Sequence, residues 1–103
     1  MHNRIEILGR LGKDPETRQT SKGTPYCLAQ MVSNYKVKKT GTDEAAWFRL
    51  SVWGPIAKIL AERGKKGTLL FVTGRMRPME WQLKDGQTAP GYEVVVDVLR
   101  ILN

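Results

Sequence analysis

AWFRLSVWGPIAKILAERG, residues Ala46 to Gly64, is the stretch whose reading decides the fold. From Ala46 to Val52 the side chains alternate. Phe48, Leu50 and Val52 share one parity, and Trp47, Arg49, Ser51 and Trp53 share the other, which is the two-residue period of a β-strand. Trp53-Gly54-Pro55 ends that strand, because proline cannot donate to a ladder and is favoured in the first turn of a helix. Ile56, Ile59 and Leu60 then recur at i, i+3 and i+4, and Gly64 is a natural stop, so a short amphipathic helix follows the strand directly.

Toward the N-terminus, Asn3 to Leu11 carries Ile5, Ile7, Gly9 and Leu11 on one parity, a strand with one buried face that Gly12-Lys13-Asp14-Pro15 breaks. Thr24 to Asn34 is a second strand, entered through Ser21-Lys22-Gly23. It is followed by a polar segment, Lys36 to Glu44, expected to be a mobile hairpin loop around Gly41. Toward the C-terminus, Thr68 to Arg77 and Tyr92 to Leu102 are two more strands, joined by a long loop that contains Asp85-Gly86 and Pro90-Gly91. Three strands, one helix and two strands is the order of an all-β, five-stranded oligonucleotide/oligosaccharide-binding (OB) barrel with its helix between strands three and four. Residues 1–103 are expected to form a single such domain.

Composition narrows the function classes. At 41% hydrophobic and 26% charged residues the chain has the means to fold. It has neither a 20-residue apolar run nor a signal-peptide pattern, so a soluble, unprocessed, cytoplasmic protein is expected. Seventeen Lys and Arg against ten Asp and Glu leave a charge of +7, a field that attracts polyanions. A lone cysteine, Cys27, forms no internal disulfide, and a lone histidine, His2, completes no zinc site. No carboxylate cluster or Ser/His/Asp set is present, so an enzyme, a metal and a cofactor are all unexpected.

If the aliphatic parity of residues 46–53 fills the barrel, Trp47 and Trp53 flank Arg49 on its outside, an expensive surface for a protein that needs only to be soluble. Flat rings beside a cation are what unstacked bases bind, each stack being worth about 1 to 3 kcal/mol whatever the base. A tryptophan packed under a loop is the simpler alternative, but two more aromatics weaken it. Tyr35 precedes Lys36-Val37-Lys38-Lys39, and Trp81 follows Arg75 and Arg77 in the loop between strands four and five. The lysine run by itself reads as a solvated loop; its position beside Tyr35 makes Lys36, Lys38 and Lys39 a candidate phosphate clamp.

Leu8-Gly9-Arg10-Leu11-Gly12-Lys13-Asp14-Pro15-Glu16-Thr17-Arg18 resembles the opening segment of bacterial single-stranded DNA-binding proteins. Trp47 to Gly54, Lys66-Gly67, Gly74-Arg75-Met76-Arg77 and Glu93-Val94-Val95-Val96 resemble later segments of that family in the same order. By position, the resemblance implies base stacking on Tyr35, Trp47, Trp53 and Trp81, and phosphate contacts from Arg49, Lys58, Lys65, Arg75 and Arg77. Tyr35 stands where many relatives have tryptophan, Trp53 where many have phenylalanine, and Phe48 where many have histidine. The family usually continues into a flexible linker and an acidic tip. This chain stops at Asn103, as a trimmed binding domain or a tailless phage or mobile-element member does.

The expected function is to coat and protect single-stranded DNA without sequence readout during replication, recombination and repair. Two alternatives stand beside it. One is a replication-restart adaptor similar to primosomal replication protein B, to whose family Ser21 to Cys27 is similar. The other is an RNA-binding OB protein, distinguished by 2′-hydroxyl contacts. Alternation in strand four puts Leu70, Val72 and Met76 inward and leaves Leu69 and Phe71 outward beside Arg75 and Arg77, an apolar pair that needs a cover, either the loop after Met76 folded back or another subunit. The family resemblance implies that this cover is a second subunit, in a homotetramer whose first strands pair.

Overall fold

In the computed structural model, which describes residues 2–103, the chain forms β1 (Ile5–Leu11), β2 (Glu16–Gln19), β3 (Pro25–Lys36), β4 (Asp43–Trp53), α1 (Pro55–Arg63), β5 (Leu69–Gln82) and β6 (Thr88–Ile101). The strand order β1-β5-β6-β4-β3 closes on itself, because β1 also pairs with β3 through Arg10–Val32 and Leu11–Met31. The result is a ring of five strands with one helix between β4 and β5, the OB topology. Every pairing is antiparallel except β4 with β6, which run parallel at Arg49–Glu93, Leu50–Val94 and Ser51–Val95. At the closure β1 and β3 come so near that a Cβ on Gly9 would lie 2.3 Å from the Val32 carbonyl oxygen, so only glycine fits there.

The inward parities fill the ring. Ile7, Leu11, Cys27, Ala29, Met31, Leu50, Val52, Leu70, Val72, Val94, Val96 and Leu99 are buried, with Phe48 half-buried against them. Inward positions on β6 change parity between Val96 and Leu99. The register slips by one residue there: Thr73 faces Val98 but Gly74 faces Val96, so Asp97 is the extra residue of a bulge. Helix α1 starts at Pro55 after Gly54, whose φ of 74° is left-handed and favours glycine. Its buried face is Ala57 and Leu60, with Ile56 half-buried. Ile59 points away, 45% exposed, so the buried stripe of the helix runs through Ala57 and Leu60 and not through Ile59.

Two strands depart from the sequence reading. β2 pairs with the outer side of β3 from Glu16–Leu28 to Gln19–Pro25; its residues, Glu-Thr-Arg-Gln, carry no apolar alternation to mark a strand. The expected long loop after Arg77 is instead a hairpin, with the β5–β6 ladder continuing through Pro78–Tyr92 and Glu80–Pro90 to Gln82–Thr88. Beyond the ring each of these strands has a single neighbour, so a proline with its nitrogen toward the free edge loses no ladder bond. The turn is only Leu83 to Gln87, closed by the Leu83 amide donating to the Gln87 carbonyl at 2.8 Å, with Gly86 at φ 85°. No helix among the described residues is long and apolar enough to cross a membrane.

Candidate nucleic-acid interface

The β3–β4 register builds the outer face row by row. Val32 faces Trp47, Gln30 faces Arg49, Leu28 faces Ser51 and Tyr26 faces Trp53. On the other side of β4, Glu93 of β6 is level with Arg49, and Arg77 of β5 is level with Glu93. Gln30, Arg49, Glu93 and Arg77 therefore form one polar row across four strands. The Glu93 side chain is 7% exposed and answers both arginines. Arg77 Nε donates to its Oε2 at 2.5 Å, joined by Nη2, while Arg49 Nε lies 3.4 Å from Oε1. Two guanidiniums held by one carboxylate keep a net positive charge and a fixed orientation, the arrangement that suits a phosphate.

Two indoles border this row. Trp47, 49% exposed, lies across Gly12, where a Cβ would stand 2.5 Å from Cζ3. Trp81, half-buried, lies across Gly91, where a Cβ would stand 2.1 Å from Nε1. Each ring thus rests on bare backbone. Together with Gln30, Leu83 and Ala89 they line an open cleft of about 380 Å³. It adjoins a second of about 280 Å³ that runs past Arg49 and Leu28 to Lys13, Glu16 and Arg18. Trp81 belongs to strand β5 and not to a loop, which is why it faces Trp47 from a fixed position.

At the helix end of β4, Trp53 stacks on Tyr26 with ring centroids 4.4 Å apart and planes 15° apart. That leaves one indole face open, with 41% of the residue exposed. Arg75 lies on the outward parity of β5, two residues before Arg77.

The remaining expected site residues lie away from this groove. Tyr35 shares parity with the core positions Cys27, Ala29 and Met31, so it leaves the β3–β4 hairpin on the face opposite Trp47 and Trp53. Its hydroxyl donates to Glu44 at 2.9 Å, and that bond, followed by the carboxylate's charge, raises the phenol's pKa. Lys36, Lys38 and Lys39 are exposed at the same hairpin tip. Lys58 is exposed on α1, in a cleft with Tyr26, and Lys65 follows the helix. Leu69 and Phe71 are half-buried on β5.

Several residues of the groove carry no signal in the sequence alone. Glu93 is one acid among ten until the parallel register sets it between two arginines. Tyr26 and Gln30 become visible once β3 is aligned on β4. Arg18 enters on β2 and Lys13 just ahead of it, both paired with Glu16, at 2.6 Å and 3.4 Å. The hydrogen bond from Arg18, then the charge of Lys13, lowers the Glu16 pKa. No cluster of metal-binding side chains occurs among the described residues.

Fold and face together define an OB-fold protein whose outer β3–β4 surface sets indoles beside paired cations. The family model described as the single-strand binding protein family matches residues 2–102. The chain belongs to that family. It is 31% identical to single-stranded DNA-binding protein 1 of Xylella fastidiosa, over 97% of this chain and 76% of that one. It is 33% identical to the single-stranded DNA-binding protein of Thermotoga maritima, over 98% of this chain and 74% of the relative. A solved Plasmodium falciparum SSB complex with ssDNA shares the fold at a TM-score of 0.83 and 19% identity, covering 100% of this chain and 96% of that one.

Proposed function

We propose that this protein binds single-stranded DNA along the outer β3–β4 face by stacking bases and neutralising phosphates, without reading sequence. The observation that carries the proposal is the pair of glycine-seated indoles, Trp47 and Trp81, on either side of a cleft that leads to Arg49. Flat apolar rings accept any base, whereas base-edge recognition needs donors and acceptors at defined positions. Family membership and the names of the relatives support the same reading.

In this account Trp47, Trp81 and Trp53 stack bases, and Arg49, Arg77 and Arg75 take phosphates. Tyr35, with Lys36, Lys38 and Lys39, engages the strand where it passes the hairpin tip, and Lys58 and Lys65 engage it past the helix. Coating of this kind keeps exposed DNA from re-pairing during replication, recombination and repair in the cytoplasm.

A homotetramer is part of the proposal. Leu8 is 55% exposed and lies level with Phe71, with Val98 and Leu69 on the same outer face of β1, β5 and β6. From Ile5 to Gly9 the second edge of β1 has no strand partner among the described residues; the Leu8 carbonyl accepts from the Ser33 hydroxyl at 2.9 Å, and the rest of the edge is open to another first strand.

The test is replacement of Trp47 and Trp81 together by alanine. Each lost stack is worth about 1 to 3 kcal/mol, so affinity for oligo-dT falls by up to several kcal/mol after allowing for non-additivity. Unchanged affinity in the double variant excludes the stacking surface.

A further inference from the structure

We infer that Tyr26, stacked on Trp53 from the neighbouring strand, is a positioning residue that holds the far end of this face ready for a base, so that a bound strand gains from Tyr26 only when it is long enough to reach beyond the Trp47–Trp81 end. This rests on the single-stranded DNA reading above and adds to it a new residue, Tyr26, and a length requirement.

Trp47 and Trp53 share one parity of β4 and are six residues apart, which at the strand rise is about 20 Å. A single base, or two adjacent ones, cannot reach both. At 3.4 Å per stacked nucleotide the gap corresponds to roughly six, and to fewer when the strand is extended. Between the two platforms lie Arg49 and the cleft that holds Gln30 and Leu28, a continuous path for the intervening backbone.

Tyr26 is the positioning residue. Directly across the ladder from Trp53, it stacks at 4.4 Å and covers one indole face, which fixes the plane of the other. Without it the indole at the strand's end is free to turn about its side-chain bonds, and a base must then order it on binding. On the far side of Tyr26 a cleft of about 270 Å³ runs between β3 and α1, lined by Pro25, Ala57 and Ala61 and bordered by Lys58. The lysine shares this cleft with Tyr26 and offers a cation to the phosphate that follows the stacked base.

The experiment compares dT4 with dT12 by equilibrium titration of wild type, Tyr26→Leu and Tyr26→Phe. The leucine variant keeps apolar bulk at a half-buried site, and the phenylalanine variant keeps the ring. Expected is a loss for dT12 of roughly fivefold or more in Tyr26→Leu, the lower bound of one stack. dT4 should be unaffected, and Tyr26→Phe should recover wild-type binding. A second readout replaces Trp47 and Trp81 by phenylalanine, so that Trp53 is the sole remaining tryptophan of three. Its emission should be quenched by dT12 with Tyr26 present and far less with leucine there. Equal losses for dT4 and dT12, or no loss for either, overturn this role for Tyr26 while leaving the general reading intact. Wild type that binds neither oligomer overturns both.

Discussion

Gly91→Ala tests the geometry of the groove without touching any residue that meets DNA. A Cβ at position 91 would stand 2.1 Å from Trp81 Nε1 and 2.4 Å from Cδ1. Non-bonded heavy atoms settle at about 3.5 Å, so the indole must shift by roughly 1.4 Å or swing to another rotamer. The backbone has no objection, since Gly91 is not among the left-handed glycines and alanine is the better strand residue. Thermal stability should therefore stay level or rise slightly, while the stack on Trp81 is lost. One stack of about 1 to 3 kcal/mol corresponds to roughly a 5- to 150-fold weaker Kd for oligo-dT. A double-mutant cycle isolates the cause, because in a Trp81→Ala background there is no ring to displace and Gly91→Ala should be silent. Full affinity in the single variant, or an equal loss in both backgrounds, refutes the argument that the glycine seats the indole.

Two further outcomes follow from the charges and the apolar face. Replacing Arg49, Arg75 or Arg77 by alanine should make the slope of log K against log salt shallower by about 0.7 per phosphate contact, while Glu62→Gln on α1 leaves it alone; equal slopes throughout would remove these arginines from the site. Light scattering at micromolar concentration should give a tetramer mass for wild type and a smaller one for Phe71→Glu with its circular dichroism retained. A monomer mass for wild type that persists as concentration rises contradicts the interface.

Residues 46–64 are legible because two periods meet there with a Gly-Pro junction between them; the structure keeps the strand, the junction and the helix, but the helix buries Ala57 with Leu60 and leaves Ile59 exposed. The buried aliphatics of β4 and the exposure of Trp47 and Trp53 follow from alternation alone. Legibility failed where a residue's role depends on register between distant segments. Glu93 and Arg49 are 44 positions apart, and nothing local in either marks their meeting through a parallel pair. β2 is invisible in the sequence because a strand added to the outside of a ring has no core face to pattern. The hairpin from Pro78 to Pro90 looks like a loop in the sequence, because proline breaks a strand only where its nitrogen is asked to donate, and that depends on which edge is free. Tyr35 joins the groove aromatics in the sequence through its place beside the lysine run and through the family resemblance, whereas parity turns it to the other face.

Whether bases stack on this face is decided by titrating the wild-type protein with oligo-dT while following tryptophan emission, beside a duplex of equal length under the same conditions. Trp47, Trp53 and the half-buried Trp81 all report on the face in question. Stacking on these indoles should give saturable quenching by oligo-dT that weakens as salt rises, and far less quenching by duplex, whose bases are already stacked on one another. Emission unchanged by oligo-dT, or equal quenching by the duplex, would contradict it.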